Sequence, residues 1–481
     1  MGTNDTIAAI ATAWGEAGVS IIKISGSDAC QLASKIVRFK HPPYDVAASP
    51  PRLMRLASIW DADSDEAVEI DGAVDPSGSI DPEGSIDPEV LVVYFKAPSS
   101  YTGEDVVEIQ THGGVLVAQL CMEALLRRGA RHAEPGEFTK RAFLNGRRDL
   151  SQCESVLGII RARSAVALKA ATRTMGGECS SFAADIRSEL LTLQGDIEVG
   201  LDFPEGAAPY RSDEDISNAI ETIRLSLEDL LDRCSMGLLL REGVRVVLTG
   251  RPNVGKSSLL NTLVKHARAI VTALPGTTRD VIEEVITRRG IPIRLVDTAG
   301  IRAPMDEIEA SGIAKAKEEA SRADVRLWLI DASLPLSPED SDYITSEQVS
   351  PQSCLDIIVL NKCDLPQAVS EDDVRAISPS CQVLSISVKT GEGIERLKEM
   401  ILSVTAGTLD GALNVSARQL AEVRAALESV AAAGAAVSQK HDAVAACLSD
   451  ARMCIERLLG LGITVDDALL DSVFSRFCVG K

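Results

Sequence analysis

The segment Gly250-Arg-Pro-Asn253-Val254-Gly255-Lys256-Ser257-Ser258-Leu259, directly after the apolar run Val244 to Leu248, constrains this chain more than any other. It fits GxxxxGK[ST] between a strand and a helix, the context in which that pattern builds a phosphate cradle. The glycines let the backbone approach closely, so successive N–H groups and the helix N-terminus can point at phosphate oxygens. Lys256 would then sit on the β- and γ-phosphates, and Ser257 would ligate Mg2+.

Three further segments follow in order, each after its own apolar run. Asp297-Thr298-Ala299-Gly300 caps the run Ile293 to Val296. Its carboxylate can hold Mg2+ through water, and its glycine N–H can sense a γ-phosphate. Asn361-Lys362-Cys363-Asp364 follows Asp356 to Leu360, and the Asp364 carboxylate can accept two N–H bonds from guanine. Adenine lacks that donor pair, so the motif selects GTP over ATP. Ser387-Val388-Lys389, after Val383 to Ile386, completes the purine pocket. Each segment alone is a weak signal; four in order are a strong one.

Between the first two lies Ala269 to Asp280, where a switch loop must sit, and Thr277 or Thr278 can supply a hydroxyl to Mg2+ there. Gly300 is followed by Ile301 rather than the Gln that orients water in Ras-type enzymes, so another group must place the attacking water. Glu309 is the nearby candidate; its alternative is a solvated carboxylate at a helix start. Arg302, in the same segment, joins it as a catalytic candidate.

These runs, with Val325 to Ile330, alternate with helical patterns over residues 243–408, the signature of a mostly parallel sheet covered on both faces. Arg289-Gly290 predicts a hairpin at one edge. On either side, residues 148–240 and 411–481 carry apolar positions at helical spacing, interrupted at Asp202 to Gly206 and near Gly460. Each block alone is thin for a core. Together they predict one discontinuous helical domain into which the P-loop domain is inserted, with the insertion's ends close together. Residues 1–147 read as a small α+β domain with strands at Ser20 to Ile24 and Val90 to Phe95. The acidic stretch from Asp61 to Glu89 repeats Asp-Pro-x-Gly-Ser-Ile at Asp75 and Asp81 and is expected to be a surface loop. The fold class is therefore multidomain, α+β and α/β.

A formal charge of −21 argues against a free-standing nucleic-acid binder, and aromatics at 3% leave little stacking surface for bases. Any RNA contact must be local or shared with a partner. Eleven cysteines without a CxxC pair fit reduced thiols in a cytosol. Neither a signal peptide nor an apolar run of the roughly 18 residues needed to span a bilayer is read, so a cytoplasmic protein without membrane contact is expected.

Taken together, these residues resemble the MnmE/TrmE family of tRNA uridine 5-carboxymethylaminomethyl modification GTPases, from Asn4 to Lys481. The most specific element is Phe474-Ser-Arg-Phe-Cys478-Val-Gly480-Lys481, similar to the family's Phe-Cys-x-Gly-Lys ending. Thr102 to Asp105, His112-Gly113-Gly114, Pro135 to Phe138, Arg141 to Asn145 and Asp202 to Pro204 are also similar to its motifs.

The resemblance implies an N-terminal dimerisation domain similar to folate-binding aminomethyltransferase modules. It further implies K+ held by Asn253, Thr272, Leu274 and Thr277, with dimerising GTPase heads completing the site and Glu309 orienting water. A cation beside the phosphates can replace the charge of an arginine finger. A tetrahydrofolate derivative, in its 5-formyl or methylene form, would contact Lys23, Glu108, Arg147 and Lys481. Family members usually have Arg where Lys23 stands, Lys where Arg147 stands, and a Gly-Arg-Gly-Gly type loop where Gly15-Glu16-Ala17-Gly18 stands. Cys478 is a candidate in the modification chemistry; its alternative is a small buried hydrophobe. From Arg127 to Arg173, eleven Lys or Arg face four Asp or Glu, a stretch that could meet tRNA phosphates or a folate tail, or be a solvated helical face. The implied partners are a second copy, tRNA, and an MnmG/GidA-type flavoprotein that supplies FAD in a heterotetramer or larger. A GTP-switched ribosome or RNA assembly factor is the alternative; so is a folate-binding module that keeps its GTPase only for dimerisation.

Overall fold

The structure, a computed structural model, describes residues 5–61, 85–202, 211–266, 283–289, 291–297, 323–345, 354–377, 379, 382–405, 411–438, 440–461 and 467–481. They divide into two units, Met1–Leu157 with Glu456–Lys481, and Gly158–Ile455.

In the first unit, β1 (Ile7–Ile10), β2 (Val19–Ser25), β3 (Val37–Phe39), β4 (Arg55–Trp60), β5 (Ser85–Phe95), β6 (Val106–His112) and β7 (Arg131–His132) form a sheet in the order β3-β4-β5-β6-β2-β1-β7. Side chains alternate across a pleated strand. Val107 and Ile109 of β6, with Ile22 and Ile24 of β2, therefore enter the core that includes residues of α1 (Ala29–Ile36) and α2 (Val115–Arg127). Glu108, Gln110 and His112 take the opposite face. Antiparallel pairing sets Lys23 across from Glu108.

One expectation is corrected here. The acidic stretch does not stay a loop as far as Glu89: β5 begins at Ser85, and Asp87 is only 2% exposed. Its carboxylate is satisfied by hydrogen bonds, which offset the cost of burying a charge. Residues 62–84 lie outside the described residues.

The C-terminal segment belongs to this same unit. Lys140 of α3 (Glu137–Leu144) pairs with Asp471 of the helix Asp467–Phe474 at 2.7 Å, and Phe474 and Phe477 are buried. Gly136, at φ +71°, makes the contact possible, since a Cβ there would lie 2.6 Å from the Phe474 carbonyl oxygen.

The second unit holds α5 (Ala165–Met175), α6 (Glu178–Asp202) and α7 (Asp213–Glu242), following on α4 (Leu150–Arg161), and the later helix Ala417–Ala436, which packs along α7. Capping boxes start two of them: Ser212 with Asp215, and Ser416 with Gln419. The segment before Ala417 crosses α7 at Gly237, where a Cβ would overlap the Leu413 carbonyl, and Asn414 N donates to Thr174 Oγ1 of α5 at 2.8 Å. Helices from before and after the P-loop domain thus pack on one another. α7 passes through Gly243, at φ +87°, straight into β8 (Val244–Gly250).

Six strands complete this unit. β8, β10 (Ile291–Asp297), β11 (Val325–Asp331), β12 (Leu355–Asn361) and β13 (Gln382–Ser385) run parallel, and β9 (Glu283–Arg288) joins β10 as the expected hairpin, in the order β13-β12-β11-β8-β10-β9. The strands' apolar runs are buried, as a sheet covered on both faces requires. No helix among the described residues is long and apolar enough to cross a membrane.

Candidate functional site

β8 lies between β11 and β10, so its C-terminal end is the point where the strand order reverses and a crevice opens. Gly250 leaves it at φ +123°, and a Cβ there would lie 2.4 Å from the Leu329 carbonyl oxygen; Gly255, at φ +107°, would meet Asn361 Nδ2 at 2.3 Å. Neither position accepts a side chain, so the loop packs closely on β11 and on Asn361 at both ends. Asn253 is exposed and left-handed, at φ +64°, and Val254 is buried beneath the loop. Lys256 and Ser257 open α8 (Lys256–His266), whose first turn offers N–H groups with no partner within the helix. Lys256 Nζ donates to the carbonyls of Gly250 and Arg251, both at 2.7 Å, which holds the ammonium at the mouth of the loop. Ser258 is exposed beside Ser257.

Two more loops meet this one. Asn361, buried at the end of β12, donates from Nδ2 to Val254 O at 2.8 Å and accepts at Oδ1 from Val388 N at 3.3 Å. Asp364 Oδ1 accepts from Ser387 Oγ at 2.7 Å, and Oδ2 lies 3.9 Å from Lys389 Nζ. Lys362, at φ +69°, is ion-paired with Asp331, whose carboxyl is pushed up by burial but held below its usual range by the Lys362 and Ser333 contacts together. The backbone of Asp297 closes β10 opposite Leu248 of β8, at the same crevice. The Asp297 side chain lies outside the described residues, as do Thr272, Leu274, Thr277, Thr278, Thr298, Ala299, Gly300, Arg302 and Glu309. Of the described residues, Ser257 could hold Mg2+ and Asn253 K+; a loop that runs from Gly250 into the N-terminus of α8 fits a polyphosphate.

A second cluster lies in the first unit. Lys23 and Glu108 pair at 3.5 Å, each about one-fifth exposed. Gly480, at φ +88°, presses the C-terminal residues against the end of β1, where a Cβ would lie 2.9 Å from Ala11 Cα. Lys481 thereby joins the pair: burial pushes its ammonium below the usual lysine range and Lys23 adds to this, while Glu108 and Cys478 act the other way. Cys478 alone among the described cysteines is exposed, which sets aside its reading as a buried hydrophobe. The structure thus brings Lys23, Glu108, Lys481 and Cys478 together. Arg147 is exposed, with its stem along Gly103.

Sequence reasoning missed Tyr101, whose ring centroid is 5.9 Å from Lys23 Nζ and 5.3 Å from Arg148 Cζ. Its one signal was an aromatic next to Thr102 to Asp105 in an aromatic-poor chain. Several motif residues have a structural role instead. Buried Arg141 donates to Asp5 O at 2.9 Å, Asp5 Oδ1 at 2.8 Å, Glu137 Oε1 at 3.0 Å and both Glu104 carboxylate oxygens at 3.3 Å, tying three motifs into one ion network. Arg131 binds Asp5 and Glu137, and Arg127 and Arg128 bind Asp61. That part of the basic stretch is therefore paired and is not an open cationic face.

A phosphate loop bounded by Gly250 and Gly255 where the strand order reverses, laced by one buried asparagine to two further loops, defines a P-loop GTPase, carried here on helices and accompanied by an α+β unit. The chain belongs to the MnmE/TrmE family of tRNA modification GTPases. The model described as "GTP-binding protein TrmE N-terminus" matches residues 6–147, and the "MnmE helical domain" model matches residues 150–478. The chain is similar to the tRNA modification GTPase MnmE of Symbiobacterium thermophilum, 40% identical over 99% of both chains, and to that of Bacillus subtilis, 39% identical over 99% of this chain and 100% of that one. Among solved structures, the G domain of the T. maritima FeoB iron transporter matches 34% of this chain and 98% of its own, at 29% identity and a TM-score of 0.26.

Proposed function

We propose that this GTP hydrolase is stimulated by K+ and works with an FAD-dependent MnmG/GidA-type flavoprotein to form the 5-carboxymethylaminomethyl group on the wobble uridine, U34, of tRNA. The observation that carries the reading is the placement of Lys481 and the exposed Cys478 beside the Lys23–Glu108 pair, in a chain whose other unit holds a guanine-nucleotide site. In that reading Ser257, Thr278 or Thr277, and Asp297 through water hold Mg2+. Asn253, Thr272, Leu274 and Thr277 hold K+, and Glu309 with Arg302 acts on the attacking water. Lys23, Glu108, Arg147 and Lys481 hold a 5-formyl- or methylenetetrahydrofolate. The two cations and the one carboxylate that meet at the tail suit an anionic ligand with its own N–H donors.

The working form is a homodimer whose GTPase heads close on one another, joined by the flavoprotein in a heterotetramer or larger and acting on cytoplasmic tRNA. The domains are 1–147, 148–240 with 411–481, and 243–408. GTP turnover in K+ against Na+ at matched ionic strength, with Asn253→Ala alongside, tests the cation. Strong K+ stimulation that the variant loses supports the reading, and equal rates in the two salts overturn the cation mechanism. Wobble-uridine analysis after incubation with the flavoprotein, 5-formyltetrahydrofolate and tRNA tests the rest; an unchanged nucleoside would favour a GTP-switched assembly factor.

A further inference from the structure

His112 and Asp87 form a pair that neither the nucleotide site nor the Lys481 cluster uses. Asp87 is 2% exposed, yet the side chain of His112 is 68% exposed. The buried carboxylate accepts from His112 N at 2.8 Å and from its Nδ1 at 2.9 and 3.1 Å, and it also accepts from Glu89 N at 3.2 Å. A carboxylate on Nδ1 selects the tautomer that carries its proton there, which leaves the lone pair on Nε2. Nε2 makes no hydrogen bond among the described residues, so the basic atom of a fixed ring faces outward.

The backbone N–H groups of His112 and Glu89 already bond the buried carboxylate, and the Nδ1 bond in addition fixes the ring. Burying the carboxylate behind the ring and exposing the ring is the arrangement a positioned base requires. The neighbourhood is rigid too: a Cβ on Gly113 would lie 1.9 Å from Ala17 O, and Ala17 N donates to Gly113 O at 2.9 Å. The loop carrying Ala17 begins at Ala11, against which Gly480 packs. His112 lies on the same face of β6 as Glu108, four residues and roughly 13 Å along the strand. The same strand thus carries Glu108 of the Lys481 cluster and, at its end, the exposed ring held by Asp87. The titratable groups around it are Asp87 and Glu89 on β5, the buried thiol of Cys121 on α2, which feels the Asp87 charge, and Glu16 in the Ala17 loop.

We propose that His112 is a proton-transfer residue of the tRNA modification reaction and that Asp87 positions it; this rests on the tRNA reading above. Nε2 takes one proton from an N–H or O–H of the reacting substrate, whose electron pair stays on the substrate atom. The imidazolium so formed gives the proton to water.

The test uses the full chain with the flavoprotein partner, 5-formyltetrahydrofolate and tRNA, and follows wobble-uridine modification from pH 5.5 to 9. Wild type should lose rate as pH falls and the imidazole protonates. His112→Ala should be slower by about 100-fold or more, the usual range for a general base. It should lack the acid limb and recover in part with added free imidazole. Asp87→Asn, whose amide can donate to Nδ1 and so select the tautomer with its proton on Nε2, should slow the reaction. GTP turnover should be unchanged in both variants. His112→Ala with near wild-type rate and the same acid limb overturns the proposal alone, as does a loss that imidazole does not rescue while Asp87→Asn leaves the rate unchanged. A wild-type protein that leaves the uridine unmodified overturns the tRNA reading, and this proposal with it.

Discussion

The side-chain amide of Asn361 hydrogen-bonds the main chain of Val254 at 2.8 Å, so the purine-side loop and the phosphate loop are held by one buried residue. Its other end takes Val388 N, and Gly255 leaves no room for anything larger. Asn361→Asp exchanges the Nδ2 donor for an oxygen facing a carbonyl oxygen, and a buried group left unsatisfied costs about 1–3 kcal/mol. The variant is expected to bind GTP about tenfold or more weakly, in fluorescence titration with a labelled nucleotide. Unchanged affinity would show that the bridge does not organise the site.

Arg141 is expected to matter to stability rather than to chemistry. Arg141→Met removes hydrogen bonds from three carboxylates, of which Asp5 and Glu137 keep Arg131, and a buried acceptor left unsatisfied costs about 1–3 kcal/mol. Arg141→Met should lower the stability of the first unit by that order in urea denaturation at pH 7 and leave GTP turnover intact.

The same network has a pH signature. Burial pushes the carboxyls of Asp5 and Glu137 up, but Arg131 and Arg141 together hold both below their usual values. A carboxyl depressed on folding stabilises above its unfolded value and ceases to as pH falls through its folded one. The gap between wild type and Arg141→Met should therefore narrow between pH 5 and pH 3. A constant gap over that range would mean the carboxyls are not depressed.

The nucleotide site was largely legible in the chain because a phosphate cradle needs glycines at set spacing and each loop must follow a strand. The hairpin at Arg289-Gly290 and the pairing of both helical flanks could be read for similar reasons of period and turn chemistry. What could not be read depends on contacts distant in sequence. Asp87 looked like part of an acidic repeat because its partner, His112, lies 25 residues on and on another strand. Glu104, Glu137 and Arg141 stood out as motif residues, but a motif does not say whether its charges meet a ligand or one another. Thr272 to Thr278 and Glu309 lie outside the described residues, so their part in the site rests on the sequence.

Gly480 should control the second cluster. At φ +88° with Ala11 Cα in the way, a side chain there is both strained and obstructed. Gly480→Ala should lift Lys481 away from Lys23 and Glu108 and weaken 5-formyltetrahydrofolate binding at least about tenfold, or about 1.4 kcal/mol, in calorimetry. Phe474 and Phe477 keep the preceding residues anchored, so the melting temperature should barely move. A large fall in melting temperature with binding retained would make this glycine purely structural.

Lys481 should also give that cluster a basic limit. Burial first, and the Lys23 charge second, lower its ammonium below the ordinary lysine range, so it loses its proton at a pH where surface lysines keep theirs. An anionic ligand needs the charged form, and its affinity should fall as pH rises through that depressed value. Lys23→Met removes the repulsion, so the affinity should be lower throughout but its decline should begin at higher pH. The ammonium can be followed directly by 15N NMR of Lys481 Nζ, comparing wild type with Lys23→Met between pH 7 and 11. Titration at the ordinary lysine value in both proteins would show that Lys481 is solvated and that the two cations do not share one site.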